Sequence, residues 1–162
     1  TEIADVCAIN PLNKPGYVNI FAIMTNGKIA DDGTKNAILE ACNDDKVRPL
    51  TDIVEVLDPD VVNFSIELTY YIDRNSPKSA AEIDAAIRSA VEEYTEWQCK
   101  KIGRDINPSR LMWLLKDTGA KRVDIQSPTF TSLRDGSDRL TPQTAHTDLA
   151  KAVIVNGGYE DE

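Results

Sequence analysis

Residues 61–73 alternate without a break: Val62, Phe64, Ile66, Leu68, Tyr70 and Ile72 fall on one face, and Asn63, Ser65, Glu67, Thr69 and Tyr71 on the other. Successive side chains leave a pleated strand on opposite sides, so this run reads as a long strand with one face buried and one face wet. The period then changes. Ile83, Ala86, Ile87, Ala90, Val91, Tyr94, Trp97 and Ile102 recur in steps of three and four, with Arg88, Glu92, Glu93, Glu96 and Lys100 opposite them, which is the pattern of an amphipathic helix. Ser79-Ala80-Ala81-Glu82 has capping-box spacing and starts that helix, and Gly103 can close it in a left-handed conformation. A one-sided strand and a one-sided helix must bury their apolar faces on each other, which places an α+β layer at the centre of the fold.

The flanking chain adds shorter elements. Residues 2–10 alternate as a first strand, and residues 17–24, apolar on both sides, read as a central strand covered on two faces. A short helix is expected over residues 34–43, from the spacing of Ala37, Ile38, Ala41 and Cys42, and a strand over residues 53–57. Asp58-Pro59-Asp60 is expected to turn that strand as a hairpin into the long one. Asn107-Pro108, an N-cap with proline at the first helical position, opens an extra short helix over residues 108–118. Residues 121–126 are a further strand, stopped by Ser127-Pro128, and residues 152–155 the last. The order β-α-β-β-α-(α)-β predicts a ferredoxin-like (split βαβ) antiparallel sheet with helices on one face, plus the extra helix and a C-terminal strand. The expected divisions are 1–15, the end of a preceding segment; 16–128, the α+β domain; 129–149, a polar loop; and 150–162, a strand with an acidic tail. Thr1 opens the sequence within a strand and without a methionine, so an excised part of a longer polypeptide is expected.

Chemistry-bearing words are scarce. The chain of 162 residues is 41% hydrophobic, enough for a core, and its net charge of -9 opposes unaided binding to nucleic acid or an anionic membrane. No phosphate-binding glycine loop, nucleophile elbow or zinc-protease motif occurs, and His146, the single histidine, lies in a polar stretch. Cys7, Cys42 and Cys99 are odd in number and widely spaced, as expected of reduced structural thiols. The acidic pairs Asp31-Asp32, Asp44-Asp45, Asp58/Asp60 and Glu92-Glu93 sit at turns and helix surfaces, and Asp135-Gly136-Ser137-Asp138 is the weak cation candidate among them. No catalytic residue, metal site or cofactor is therefore expected, and no small-molecule substrate.

Large apolar groups on polar backgrounds point to protein contact. Trp97 continues the core stripe, whereas Trp113, between Met112 and Leu114, fits either a core or an interface, where tryptophan is enriched. Tyr71 stands on the wet face of the long strand. Phe130, Leu133 and Leu140 are isolated within residues 129–148, which are dominated by Thr, Ser, Asp and Arg, and are candidate anchors for a partner that orders this segment.

The words Val47-Arg48-Pro49-Leu50-Thr51-Asp52, the alternating strand, Ile102-Gly103-Arg104-Asp105-Ile106, Asn107-Pro108-Ser109-Arg110-Leu111 and Gly119-Ala120-Lys121-Arg122-Val123 follow one another in an order that resembles the J-like baseplate proteins of contractile-tailed bacteriophages and prophages. The resemblance implies a structural wedge subunit, placed between hub and tail-fibre apparatus. It implies hetero-oligomeric assembly with other wedge and hub proteins, with possible self-association, in the host cytoplasm and then in the virion tail, and it supplies no catalytic or cofactor residues. The residues alone leave open a ferredoxin-like small-ligand-binding regulatory module and a carboxylate-dependent hydrolase.

Overall fold

The alternating run keeps its burial rhythm but not its continuity. The computed structural model describes residues 2–43, 53–134 and 142–161. Ile66, Leu68, Tyr70 and Ile72 are each 1% exposed, yet the backbone leaves the ladder between Asn63 and Glu67, giving β4 (Asp60–Asn63) and β5 (Glu67–Asp73). The two parts have different neighbours. β4 pairs in parallel with Gln143–His146, and β5 pairs antiparallel with Arg122–Ser127 and parallel with Val153–Glu160. At the break, Phe64 N–H donates to the His146 carbonyl at 2.9 Å and Val153 N–H to that of Ile66 at 2.9 Å, while the Ser127 hydroxyl donates to the Ser65 carbonyl at 2.9 Å. The strand thus passes from one sheet to the next with the Phe64 amide and the Ser65 and Ile66 carbonyls bonded.

The remaining elements are β1 (Ile3–Ile9), β2 (Tyr17–Met24), α1 (Asp32–Cys42), β3 (Ile53–Leu57), α2 (Ala80–Cys99), α3 (Pro108–Leu115), β6 (Arg122–Ser127), β7 (Gln143–His146) and β8 (Val153–Glu160). Among the described residues the strands form three sheets, ordered β1-β2-β3, β4-β7 and β6-β5-β8. The α+β class holds, but the single antiparallel sheet does not form. β3 lies parallel to β2, with α1 in the connection between them, and Asp58-Pro59 leads into another sheet rather than closing a hairpin. Alternation reports which face of a strand is buried and is silent about which strand lies along its edge. β1 pairs antiparallel with β2, so the segment set apart as residues 1–15 contributes a strand to the first sheet.

β2 is central and covered on both faces, as its composition demands. Phe21 and Ile23 pack with Cys7, Ile9 and Ile102 on one side, and Ala22 and Met24 with Ala30 and Ile38 of α1 on the other. α1 starts at its Asp31 cap, which accepts from Thr34 N–H at 2.7 Å. It turns Ile38, Leu39 and Cys42 inward, leaving Ala37 and Ala41 exposed.

The main core lies between α2, α3 and the sheet β6-β5-β8. Ile83, Ile87, Ala90, Val91 and Tyr94 of α2 and Leu111 and Leu115 of α3 cover Leu68, Tyr70 and Ile72. The α2 capping box is present: Ser79 Oγ accepts from Glu82 N–H at 3.3 Å, and Glu82 Oε2 accepts from Ser79 N–H at 2.8 Å. α2 ends at Cys99 rather than at Gly103, and α3 at Leu115 rather than at residue 118.

The connection over residues 100–106 ties the first sheet to the β4-β7 sheet. Ile102 enters the first sheet's core, and its N–H donates to Asp5 of β1 at 2.9 Å. Gly103, at φ 67, donates to the Gln143 carbonyl of β7 at 2.7 Å. Ile106 exchanges backbone hydrogen bonds with Thr131, and Asp105 accepts from Leu133 N–H at 2.8 Å. From inside, Gln98 Nε2 donates to the carbonyls of Arg104 and Asp105 at 3.1 Å each.

Within residues 129–149, expected as a polar loop, the described part has structure of its own. It contains β7, and Leu133 is 1% exposed, packed with Ile106 and Ala145. Gln143-Thr144-Ala145-His146 carries no apolar alternation; pairing with β4 makes it a strand. β8 likewise runs past residue 155 through Gly157 and Gly158, with a register shift against β5.

Candidate protein-interaction site

α3 presents two opposed faces. Leu111 and Leu115 are 0% exposed, while Met112 is 43% and Trp113 52% exposed. Helical spacing sets Arg110 and Lys116 three residues to either side of Trp113, hence next to it on the surface. The Arg110 guanidinium lies 4.5 Å from the Trp113 ring centre and the Lys116 ammonium 5.5 Å from it. Arg110 also reaches the Trp97 ring of α2, at 5.6 Å, and Arg104 stacks on Trp97 at 4.0 Å while donating to the Trp97 carbonyl. Two indoles and three cations thus form one continuous array of cation–π contacts.

Among the described residues its cations have few ion pairs. Arg110 meets Glu93 at 3.7 Å, where the carboxylate is 62% exposed, and Arg110 Nε is buried without a hydrogen-bond partner. Burial lowers the Arg104 pKa, nearby Asp5 opposes that effect, and the charge of Arg110 adds to it. Of this array Trp113 is the interface candidate read from the sequence; the i±3 spacing of Arg110 and Lys116 about it is the signal in the sequence that points to its cations.

Tyr71 stands on the outward face of β5 but is partly covered. Arg122 stacks on its ring at 3.9 Å, and the β8 backbone passes so close at Gly157 that an added Cβ would lie 2.4 Å from the ring. Arg122 bonds Glu160 at 2.6 Å and also Asp124, which raises its pKa and holds the Glu160 carboxyl below the usual range. Val153, Val155 and Tyr159 of β8 are exposed nearby. Phe130 is 62% exposed. Leu133, by contrast, is core, because the Ile106–Thr131 bridge draws its segment inward, and it is no surface anchor. Leu140, Asp135 and Asp138 lie outside the described residues, as does the Arg48-Pro49-Leu50-Thr51-Asp52 word.

A groove of about 880 Å³ opens beside the β4–β5 break, lined among others by Phe64, Cys99, Lys100, His146 and Leu149. His146 is exposed at the end of β7. Burial, then the Asp5 carboxylate, push the Cys7 thiol up to about 11, and burial raises Cys99, so neither is a thiolate at neutral pH. Among the described residues, no three His, Cys, Asp or Glu side chains converge as a metal site, and no helix is long and apolar enough to cross a membrane.

The chain is similar to known proteins along nearly all of its length. It is 28% identical over 160 residues to Baseplate protein J of Escherichia phage P2, a match covering 99% of this chain and 49% of that protein. The chain therefore spans about half the length of this relative. Residues 1–58, which hold the first sheet, match the Baseplate J-like central domain, and residues 62–137, which begin within β4, match the Baseplate J-like protein C-terminal domain. With the two domains in this order, α+β in class and tied through residues 100–106, the chain belongs to the J-like baseplate protein family.

Proposed function

We propose that the chain is part of a structural wedge subunit of a contractile-tail baseplate, acting by assembly with other wedge and hub proteins and standing between hub and tail fibres. The observation that carries this reading is the ordered match to the central and C-terminal J-like domains. The tie through residues 100–106 supports it in physical terms, since a linking subunit must carry load between its parts without coming apart. Trp113, Tyr71 and Phe130 are the contact residues proposed, the protein joins the virion tail after assembly in the host cytoplasm, and no catalysis is assigned to it.

Co-expression with the tail proteins encoded beside it tests the reading. A stoichiometric complex is expected; neighbours that assemble fully with one another while excluding this chain would refute it. The 880 Å³ groove is the feature a small-ligand module would use. A thermal-shift screen with metabolites separates that reading, because a ligand that binds only the folded state raises the melting temperature.

A further inference from the structure

The α3 face is an exposed apolar pair flanked by cations on a protein of net charge -9. We propose that Arg110, Trp113 and Lys116 form a receptor for an acidic segment of a neighbouring baseplate subunit: its carboxylates engage the two cations and an apolar side chain covers Trp113 and Met112. The inference rests on the assembly role above and gives the chemistry of one partner.

Charge complementarity selects this occupant. Arg110 meets Glu93 at 3.7 Å, Arg104 lies near Asp5, whose carboxylate is engaged with Ile102 N–H, and Lys116 forms no ion pair among the described residues. An incoming carboxylate would give Lys116 an ion pair and Arg110 a closer one than the 3.7 Å contact with Glu93. Arg110 is also held before binding, since the Trp97 and Trp113 rings at 5.6 and 4.5 Å restrict its side chain and less freedom is lost when a carboxylate arrives. A polyanionic nucleic acid or membrane would feel the repulsion of the whole chain, whereas a short acidic segment senses the field within a screening length of about 8–10 Å. A second copy docked face to face would set Arg110 and Lys116 against the same cations, because a two-fold contact uses one patch twice.

The test uses this chain and a fluorescently labelled glutamate-rich peptide carrying one leucine, followed by anisotropy. Binding that weakens with added salt is expected, together with a loss of affinity of about tenfold or more in both Trp113→Ala and Lys116→Gln. Lys116 is exposed, so its substitution leaves the core intact, and circular dichroism verifies the fold of each variant. Equal binding of a glutamine-for-glutamate peptide, or unchanged affinity in both variants, overturns the proposal. So does dimerisation in sedimentation that Trp113→Ala abolishes, which would give the face to a second copy. A co-expressed tail complex untouched by either variant removes the receptor but leaves the assembly role. Peptide binding with the expected losses, without any such complex, leaves the receptor and removes the role.

Discussion

Replacing Gly157 by alanine sets one methyl group against one ring. The added Cβ would lie 2.4 Å from Cε1, 2.7 Å from Cζ and 2.9 Å from Cδ1 of Tyr71. Carbon atoms in contact prefer about 3.5–4.0 Å, so ring and strand must part by roughly 1 Å. The ring has little freedom to move, because Arg122 stacks on it at 3.9 Å and the Tyr71 carbonyl accepts from Lys121 N–H at 2.9 Å. Overpacking costs about 1–3 kcal/mol, with loss of the exposed cation–π contact inside that range. Urea unfolding followed by circular dichroism should show Gly157→Ala destabilised by this amount. In a Tyr71→Ala background the same change should cost less than about 0.5 kcal/mol, because the obstructing ring is gone. Gly158→Ala supplies the contrast: at φ 99 with nothing within 4 Å of its Cβ, it should cost about 1–2 kcal/mol from backbone strain, in either background. Equal costs for Gly157→Ala with and without the Tyr71 ring would refute the steric account.

Ile87→Ala, at a residue 0% exposed and packed in the cluster that includes Leu68, should lower stability by about 2–5 kcal/mol in denaturant titration. Glu93→Ala should change it by less than about 0.5 kcal/mol, its bond to Arg110 being long and wet. Ser79→Ala should cost about 1 kcal/mol at neutral pH through the lost cap. The Ser79 hydroxyl and then its amide hold the Glu82 carboxyl below its ordinary 4.5, so this stabilisation is present above pH 4.5 and lost as pH falls. The stability gap between the native protein and Ser79→Ala should therefore narrow in acid. Burial, then its hydrogen bond to Asp84, push the Tyr70 hydroxyl from 10.0 up to about 12. The protonated phenol is thus favoured in the fold, and stability should fall as pH rises from 10 to 12, less steeply in Tyr70→Phe.

What could be read from the sequence was what is decided locally. The capping box at Ser79, the stripe from Ile83 to Tyr94, the two-sided strand Tyr17–Met24 and the Asn107-Pro108 start all follow from residue type and spacing, and each stands where expected. Edge partners are decided elsewhere in the chain. Nothing in Phe64-Ser65-Ile66 announces a change of sheet, and Gln143-Thr144-Ala145-His146 becomes a strand because β4 offers an edge. The burial of Leu133 has the same origin, since it comes from Ile106 and Ala145, outside its own segment. Ile102-Gly103-Arg104-Asp105-Ile106 was conspicuous as a word; its work as a tie between sheets emerges only in three dimensions. Among the interface candidates, Trp113 stood out by size, whereas its cationic neighbours needed the helical phase to be applied to charges as well as to the core.

The handover between β4 and β5 also orders the birth of the molecule. A parallel neighbour cannot be reached by a tight turn, and here both parallel neighbours, β7 and β8, are supplied from residues 143–160. On the ribosome, the first sheet can close from residues 3–57, but β4 has no ladder partner among the described residues until β7 emerges, and β5 has only β6. The apolar row Ile66, Leu68, Tyr70 and Ile72 therefore stands beside an open strand edge until residues 143–160 have emerged. An open edge is a template for strands of other chains, so prompt pairing of β7 and β8 should limit association between neighbouring nascent copies.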